Sequence, residues 1–348
     1  MPETPPEEPG TTQPHGKAAT SAGSESVPYG SDLMGRALDD LGREIRARLG
    51  SGPRGDAGLP PPWFDLFDEL RSRARTLGMV ERRAETDDFG CDTELLRRSR
   101  PLLDLLRKRW WRIDVRGAEG LPEGPILFVA NRSGILPYDG LMIAHVVAEA
   151  CSESARPRFL VADWLVTLPF AQSTLTRMGG VRACRENAER LLGTGRSVVA
   201  FPEGLKGAGK VFRERYQVKR FGRGGVVRVA LETGAPLVPV AVIGAEEAHP
   251  VLFKVEMLAR SVGLPFVPVT PTFPLLGPLG AVPLPSKWSI RFGEPIRTGH
   301  LEADAGRDEL LVSRLTEELR SQIQSMVDED LRTREGVFAG WPGGVFTG

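Results

Sequence analysis

Lysine is scarce in this chain: 7 of its 45 basic residues are Lys and the rest Arg. Codon bias in a GC-rich genome produces that skew without a functional cause. Cysteine is rarer still. Cys91, Cys151 and Cys184 are far apart and odd in number, and there is no CxxC or Cys/His cluster. That excludes a disulfide framework and a zinc site, and fits a reducing, cytosol-facing compartment. Excess charge of one sign is also missing, with 45 Lys and Arg against 45 Asp and Glu, so net charge points to no partner. The opening MPETPPEEPG has no basic n-region and no apolar run, and a signal peptide is not expected there. With 41% hydrophobic and 26% charged residues, a disordered chain, a collagen and a polytopic membrane protein are excluded.

What is present is a chain of 348 residues, enough for one large α/β domain with a smaller appendage. Residues 1–30, rich in Pro, Ser, Thr, Gly and Glu, predict a disordered tail. Helices are expected over 31–49, 63–80 and 93–110, giving an N-terminal helical region over 31–115. After Gly117 the pattern changes. Apolar runs at 126–130, 158–162, 197–201, 237–243 and 287–292, with a short one near Val181, predict strands. Helical stretches at 139–149, 163–177, 185–192 and before Gly234 lie between them. A closing helix over 307–332 presents Leu311, Leu315, Leu319, Ile323 and Met326 on one face. Alternating strands and helices predict an α/β domain over 116–300, a mostly parallel sheet flanked by helices, with a C-terminal helix and tail over 301–348.

Two segments bear on membranes. Residues 261–286 carry no charge, but their seven prolines forbid a regular spanning helix, leaving an apolar surface loop or a buried connection. Residues 97–116 hold eight Arg or Lys against two Asp, with Trp110 and Trp111 among them. That composition suits either a headgroup layer or a solvated basic helix whose tryptophans are core.

Gly204-Leu-Lys-Gly-Ala-Gly209-Lys210 follows a strand and matches GxxxxGK, a phosphate-binding loop. Position 211 is Val, which cannot ligate magnesium, and Asp163 is only a weak candidate for the second magnesium carboxylate. A nucleotide hydrolase is therefore disfavoured. Residues 206–228 hold eight Lys or Arg against one Glu, an expected anion surface for CoA phosphates, a carrier protein or anionic lipid. No nucleic-acid fold signature accompanies it, and no nucleic-acid partner is expected.

Four segments follow in order: Asn131-Arg132-Ser133 through Asp139; Gly179-Gly180-Val181 through Arg185; Phe201-Pro202-Glu203-Gly204; and Val238-Pro239-Val240. Over roughly 115–300 this resembles the glycerolipid acyltransferase superfamily, whose best-known members acylate lysophosphatidic acid. The resemblance implies acyl transfer from an acyl thioester, acyl-CoA or acyl carrier protein, to a glycerolipid-type hydroxyl, with no cofactor. It implies a protein peripheral to the cytosolic, inner face of a membrane.

Residue by residue, the family's catalytic Asp falls on Asp139 and its general-base His on Arg132. Arg185 matches the Arg that holds the acceptor phosphate, a task suited to its bidentate fork. Glu203 and Gly204 match acceptor-binding residues, and Lys206 stands where an Arg often follows. The gap from Arg132 to Asp139 is longer than the common pattern. Arg132 stays protonated and cannot act as a base, and His15, His145, His249 and His300 have no spacing that recommends them. No GxSxG nucleophile is present. Two outcomes stay open: an acyltransferase with a departed mechanism, or an inactive lipid- or acyl-thioester-binding protein on the same fold.

Overall fold

A computed structural model describes residues 86–340 except 135, 167–168, 256–258, 260–264, 276–279, 281 and 302–303. The expected tail over 1–30 and helices over 31–49 and 63–80 lie outside the described residues. The first described helix, α1 (Thr93–Leu105), starts at Asp92, whose side chain accepts from Leu95 N–H at 2.9 Å. A π-helical turn continues it to Trp110.

The strands are β1 (Asp114–Arg116), β2 (Leu127–Ala130), β3 (Arg158–Val161), β4 (Gly180–Arg182), β5 (Val198–Ala200), β6 (Leu237–Ile243) and, late in the chain, β9 (Ser289–Phe292). They form a seven-stranded sheet in the order β1-β9-β6-β2-β5-β3-β4. The five central and outer strands from β6 to β4 are mutually parallel, as expected. β9 runs antiparallel to β6, and β1 pairs in parallel with β9. Between β6 and β9 the chain also makes a two-stranded antiparallel ribbon, β7 (Phe253–Val255) with β8 (Val267–Val269). The sequence pattern predicts neither β1 nor this ribbon.

Helices α2 (Tyr138–Ala150), α3 (Asp163–Val166), α4 (Pro169–Arg177), α5 (Arg185–Gly193), α6 (Gly204–Ala208), α7 (Gly225–Thr233) and α8 (Glu309–Thr333) make the connections and close the fold. Both sheet faces are covered, which is why the central strands are apolar throughout. Along β2 alternate side chains serve the two cores. Phe128 and Ala130 pack with Met142, Ile143 and Val146 of α2. Leu127 and Val129 join Leu191 of α5, Val229 of α7 and Leu319 and Ile323 of α8. The buried stripe of α8 begins at Val312, not Leu311.

The tryptophan pair is core. Trp110 is 6% and Trp111 0% exposed. Their indole N–H groups donate to the carbonyls of Pro283 and Leu284, and Trp111 stacks on Trp288. The headgroup reading of this pair is therefore corrected: an indole whose body is buried and whose N–H is satisfied inside the protein has nothing left to offer a bilayer. The same bonds show that 283–284 is a packed connection. Among the described residues, no helix is long and apolar enough to cross a membrane.

Candidate active site

In a parallel sheet, loops at the carboxyl ends of the strands share one edge, and sites form there. At that edge β2 runs into Asn131, β4 into Ala183 and Cys184, and β5 into Phe201. Asn131 is fixed first. Its carboxamide nitrogen donates to Val242 O at 2.8 Å and its oxygen accepts from Val242 N–H at 2.7 Å. The exchange pins the start of the loop to β6.

Arg132 comes next and joins three segments. Its backbone N–H donates to Glu203 Oε1 at 2.7 Å. Its guanidinium Nη1 lies 3.1 Å from Asp139 Oδ1 and its Cζ 4.8 Å from the centroid of the Phe201 ring. Asp139, at the start of α2, also accepts from the backbone N–H groups of Ser133 and Gly140 at 3.0 and 2.8 Å. Asp139 and Glu203 are 1% and 3% exposed. The longer loop before Asp139 thus still delivers its carboxylate to the side chain at position 132.

Glu203 is held from the other side as well, accepting from Lys219 N–H at 2.8 Å with Lys210 Nζ at 3.4 Å. Lys210 lies 2.6 Å from Glu246 and donates to Gln217 O. Burial pushes the carboxyl groups of Glu203 and Glu246 above their ordinary range, against the pull of Lys210. The nucleotide-loop reading does not fit here, because Lys210 is buried between two carboxylates. Asp163, its supposed magnesium partner, pairs with Arg182 at the surface.

Two participants were not legible as site residues. Lys210 is recognisable only as the lysine of a false phosphate loop. Gly207 lies so close that a Cβ there would fall 2.6 Å from Glu203 Cβ and 2.7 Å from Arg132 Cβ. Only glycine lets α6 approach the pair. The three glycines of GLKGAGK were the available signal. Gly204 has φ +57° with open space beside it, so its own requirement is conformational.

A cavity of about 260 Å³ opens beside this cluster. Arg132, Arg185, Phe201 and Gly204 line it. So do Leu127, Leu160, Ala188 and Val229, with Trp164 and Cys184, so that most of the remaining wall is apolar. Arg185 is half-exposed and bonds Glu189 and Glu232. Lys206 is exposed on α6 and does not line the cavity. Of the expected site residues, the fold therefore joins Arg132, Asp139 and Glu203 directly. It brings Arg185 and Gly204 to the same cleft and leaves Lys206 outside.

None of the three described histidines bonds Asp139 or lines the cleft. His145 is buried against α1, with Nε2 2.9 Å from Asp104. His249 stacks on Tyr138, and burial pushes its pKa down to about 4. His300 is exposed.

A family model described as Acyltransferase matches residues 112–243, which contain Arg132, Asp139, Arg185, Glu203, Gly204 and Lys206. An uncharacterized protein of Mycobacterium leprae is 44% identical over 323 residues, covering 89% of this chain and 87% of that protein. The chain belongs to the acyltransferase family. A second relative, an uncharacterized protein of Mycobacterium tuberculosis, is 44% identical over 256 residues, 73% of this chain and 72% of that one. A crystal structure of the 1-acyl-sn-glycerophosphate (LPA) acyltransferase PlsC from Thermotoga maritima aligns at 15% identity with a TM-score of 0.44, over 88% of this chain and 99% of that chain.

Proposed function

We propose that the protein transfers an acyl group from an acyl thioester, either acyl-CoA or acyl carrier protein, to a glycerolipid-type hydroxyl at the cytosolic face of a membrane. The observation that carries this reading is the cleft itself: two arginines on a wall that is otherwise mostly apolar, aliphatic side chains with Trp164 and Phe201. An amphiphile with an anionic head and a hydrocarbon chain matches that distribution. In this reading Arg185 exchanges its two carboxylates for the acceptor phosphate, binding its oxygens in pairs. The acceptor oxygen attacks the thioester carbonyl carbon, the C–O bond forms, the C–S bond breaks, and the proton ends on the departing thiol. Arg132 supplies fixed positive charge for the carbonyl oxygen as it becomes an oxyanion. It cannot take the hydroxyl proton, and Asp139 is already engaged by three donors. Turnover is accordingly expected to be slow, since a missing general base costs about 10²–10⁴-fold.

The Arg132–Asp139 ion pair also favours a second reading, a non-catalytic lipid- or acyl-thioester-binding protein. One experiment separates the two. Purified protein is given acyl-CoA with and without lysophosphatidic acid, and free thiol is followed. Acceptor-dependent thiol release that disappears in Arg185→Ala supports the enzyme. Saturable acyl-CoA binding with no thiol release supports the binder. Neither binding nor release removes both.

A further inference from the structure

Of the six large hydrophobic side chains exposed among the described residues, four lie in one region of the fold: Leu205 on α6, Leu252 and Phe253 on the ribbon, and Leu275 in the turn after β8. They are 49%, 50%, 57% and 84% exposed. Scattered exposed apolar residues need no explanation, but a concentration of them does. Three contacts hold the region together. Phe212 N–H donates to Val251 O at 2.7 Å, and Leu252 N–H to Val269 O at 2.8 Å. The Phe266 ring stands so close to Gly209 that a Cβ there would be 3.1 Å away. The ribbon is thereby seated on the end of α6 and the turn after it, the helix whose first residue, Gly204, lines the cleft.

The exposed charges described around these side chains are mostly basic. Lys206, Arg213 and Lys254 are exposed and make no ion pair among the described residues. Lys254 Nζ lies 5.4 Å from the centroid of the Phe266 ring. The nearby Glu214 pairs with Lys219 at 3.0 Å and also feels the charge of Lys254. Apolar side chains surrounded by unpaired cations match an interface whose outer layer is anionic and whose interior is hydrocarbon.

We infer that the β7–β8 ribbon, together with α6 and the Phe212–Glu214 turn, is the face that docks on an anionic lipid bilayer. This rests on the proposed lipid acyl transfer for its purpose, but not for its test. Leu205, Leu252, Phe253 and Leu275 enter the headgroup boundary, and Lys206, Arg213 and Lys254 meet the lipid phosphates. The cleft mouth then faces the layer that holds an acyl acceptor. The buried tryptophan pair takes no part.

The test uses the full-length protein and vesicle flotation without any substrate. Vesicles of phosphatidylcholine alone are compared with vesicles that also contain phosphatidylglycerol, at low and high salt. The wild type should float with the anionic vesicles at low salt and lose part of that binding at high salt. Each of Arg213→Glu and Lys254→Glu should reduce partition about 5-fold or more. Leu252→Ser with Phe253→Ser should abolish flotation at high salt, where the charge term is screened. Leu310→Ser, at an exposed leucine outside this region, is the control and should change nothing. Circular dichroism and acyl-CoA binding in the absence of vesicles report separately on folding and on the cleft. Equal flotation of the wild type and the ribbon variants would overturn the proposal. So would a wild type that stays with the buffer but sediments as a dimer that Leu252→Ser with Phe253→Ser dissociates, since the face would then belong to a second copy of the chain.

Discussion

Arg132 and Arg185 line the same cleft, yet the first side chain is 6% exposed and the second 49%. Arg132 is bonded to one buried carboxylate, while its backbone is bonded to another. Arg185 bridges two carboxylates at the surface, Glu189 on its own helix and Glu232 on α7. Geometry and solvent give the two pairings opposite meanings. A buried pair exists because neither charge can be left alone, and removing one partner strands the other. An exposed pair is screened and stabilises by about 0–1 kcal/mol, so an incoming anion displaces it at small cost. The inner arginine is therefore built into the site, and the outer one is available to a ligand.

The largest effect that would break this contrast is on stability. Asp139→Ala removes the carboxylate that a buried guanidinium and two backbone N–H groups bond, and should cost about 3–5 kcal/mol. Arg185→Ala should change stability by less than about 1 kcal/mol. Urea denaturation of the two variants measures both. Similar losses would mean that the two pairs do not differ in the way their burial implies.

The next effect is on chemistry. Arg132→His places a neutral imidazole beside Asp139, where it can take the acceptor proton. Acyl transfer to lysophosphatidic acid should rise about 10-fold or more, the lower end of general-base contributions. Restoration need not be full, because the shorter imidazole must reach both Asp139 and the acceptor, and small misplacements are costly. Asp139→Asn in the same variant should remove the gain. Robust native turnover that Arg132→His abolishes would show that Arg132 belongs to a working site. His145 would not then be the substitute base: it faces Asp104 across α1, away from the cleft.

A smaller effect falls on the outer arginine alone. Arg185→Lys keeps the charge but loses the paired geometry. KM for lysophosphatidic acid should rise about 10-fold, one charge-assisted hydrogen bond at 1.5–3 kcal/mol, while kcat holds. An acceptor without phosphate should show no such change. A fall in kcat with KM unchanged would place Arg185 in the chemistry instead.

What the sequence revealed and what it concealed follow from the same distinction. The central strands were legible because burial on both faces makes them continuous apolar runs, as in LVPVAVI. Arg132, Asp139 and Glu203 were legible because each follows a strand or starts a helix within a recognisable segment. Partners brought in from elsewhere were not. Glu246 meets Lys210 only after β6 crosses the sheet, and Lys219 reaches Glu203 through a backbone N–H that any residue would provide. Gly207 is required by a contact between α6 and Arg132, which sit far apart in the chain. The tryptophans were ambiguous for a related reason: a basic surface and an aromatic core alternate on one short stretch, and only packing assigns each side chain.

The smallest effect extends the inner cluster to its far end. Glu203 and Glu246 share Lys210, and burial raises both carboxyls. A carboxyl whose folded pKa lies above its unfolded value holds a proton in the folded chain that the unfolded chain has released. Its contribution is fully present below the ordinary carboxylate pKa and is lost as pH rises through the raised one. Stability should therefore decline over that window, by at most about 1.4 kcal/mol per pH unit for each group that titrates. Glu246→Gln removes one of the two carboxyls and leaves Lys210 paired with Glu203 alone. The decline should become shallower, and the variant should gain on the wild type as pH rises from the ordinary carboxylate range. Chemical denaturation across a series of pH values reads the slope directly. A variant slope equal to that of the wild type would mean that Lys210 already holds Glu246 ionised throughout, and the inner cluster would then behave as the outer pair does, as a fixed set of charges indifferent to pH.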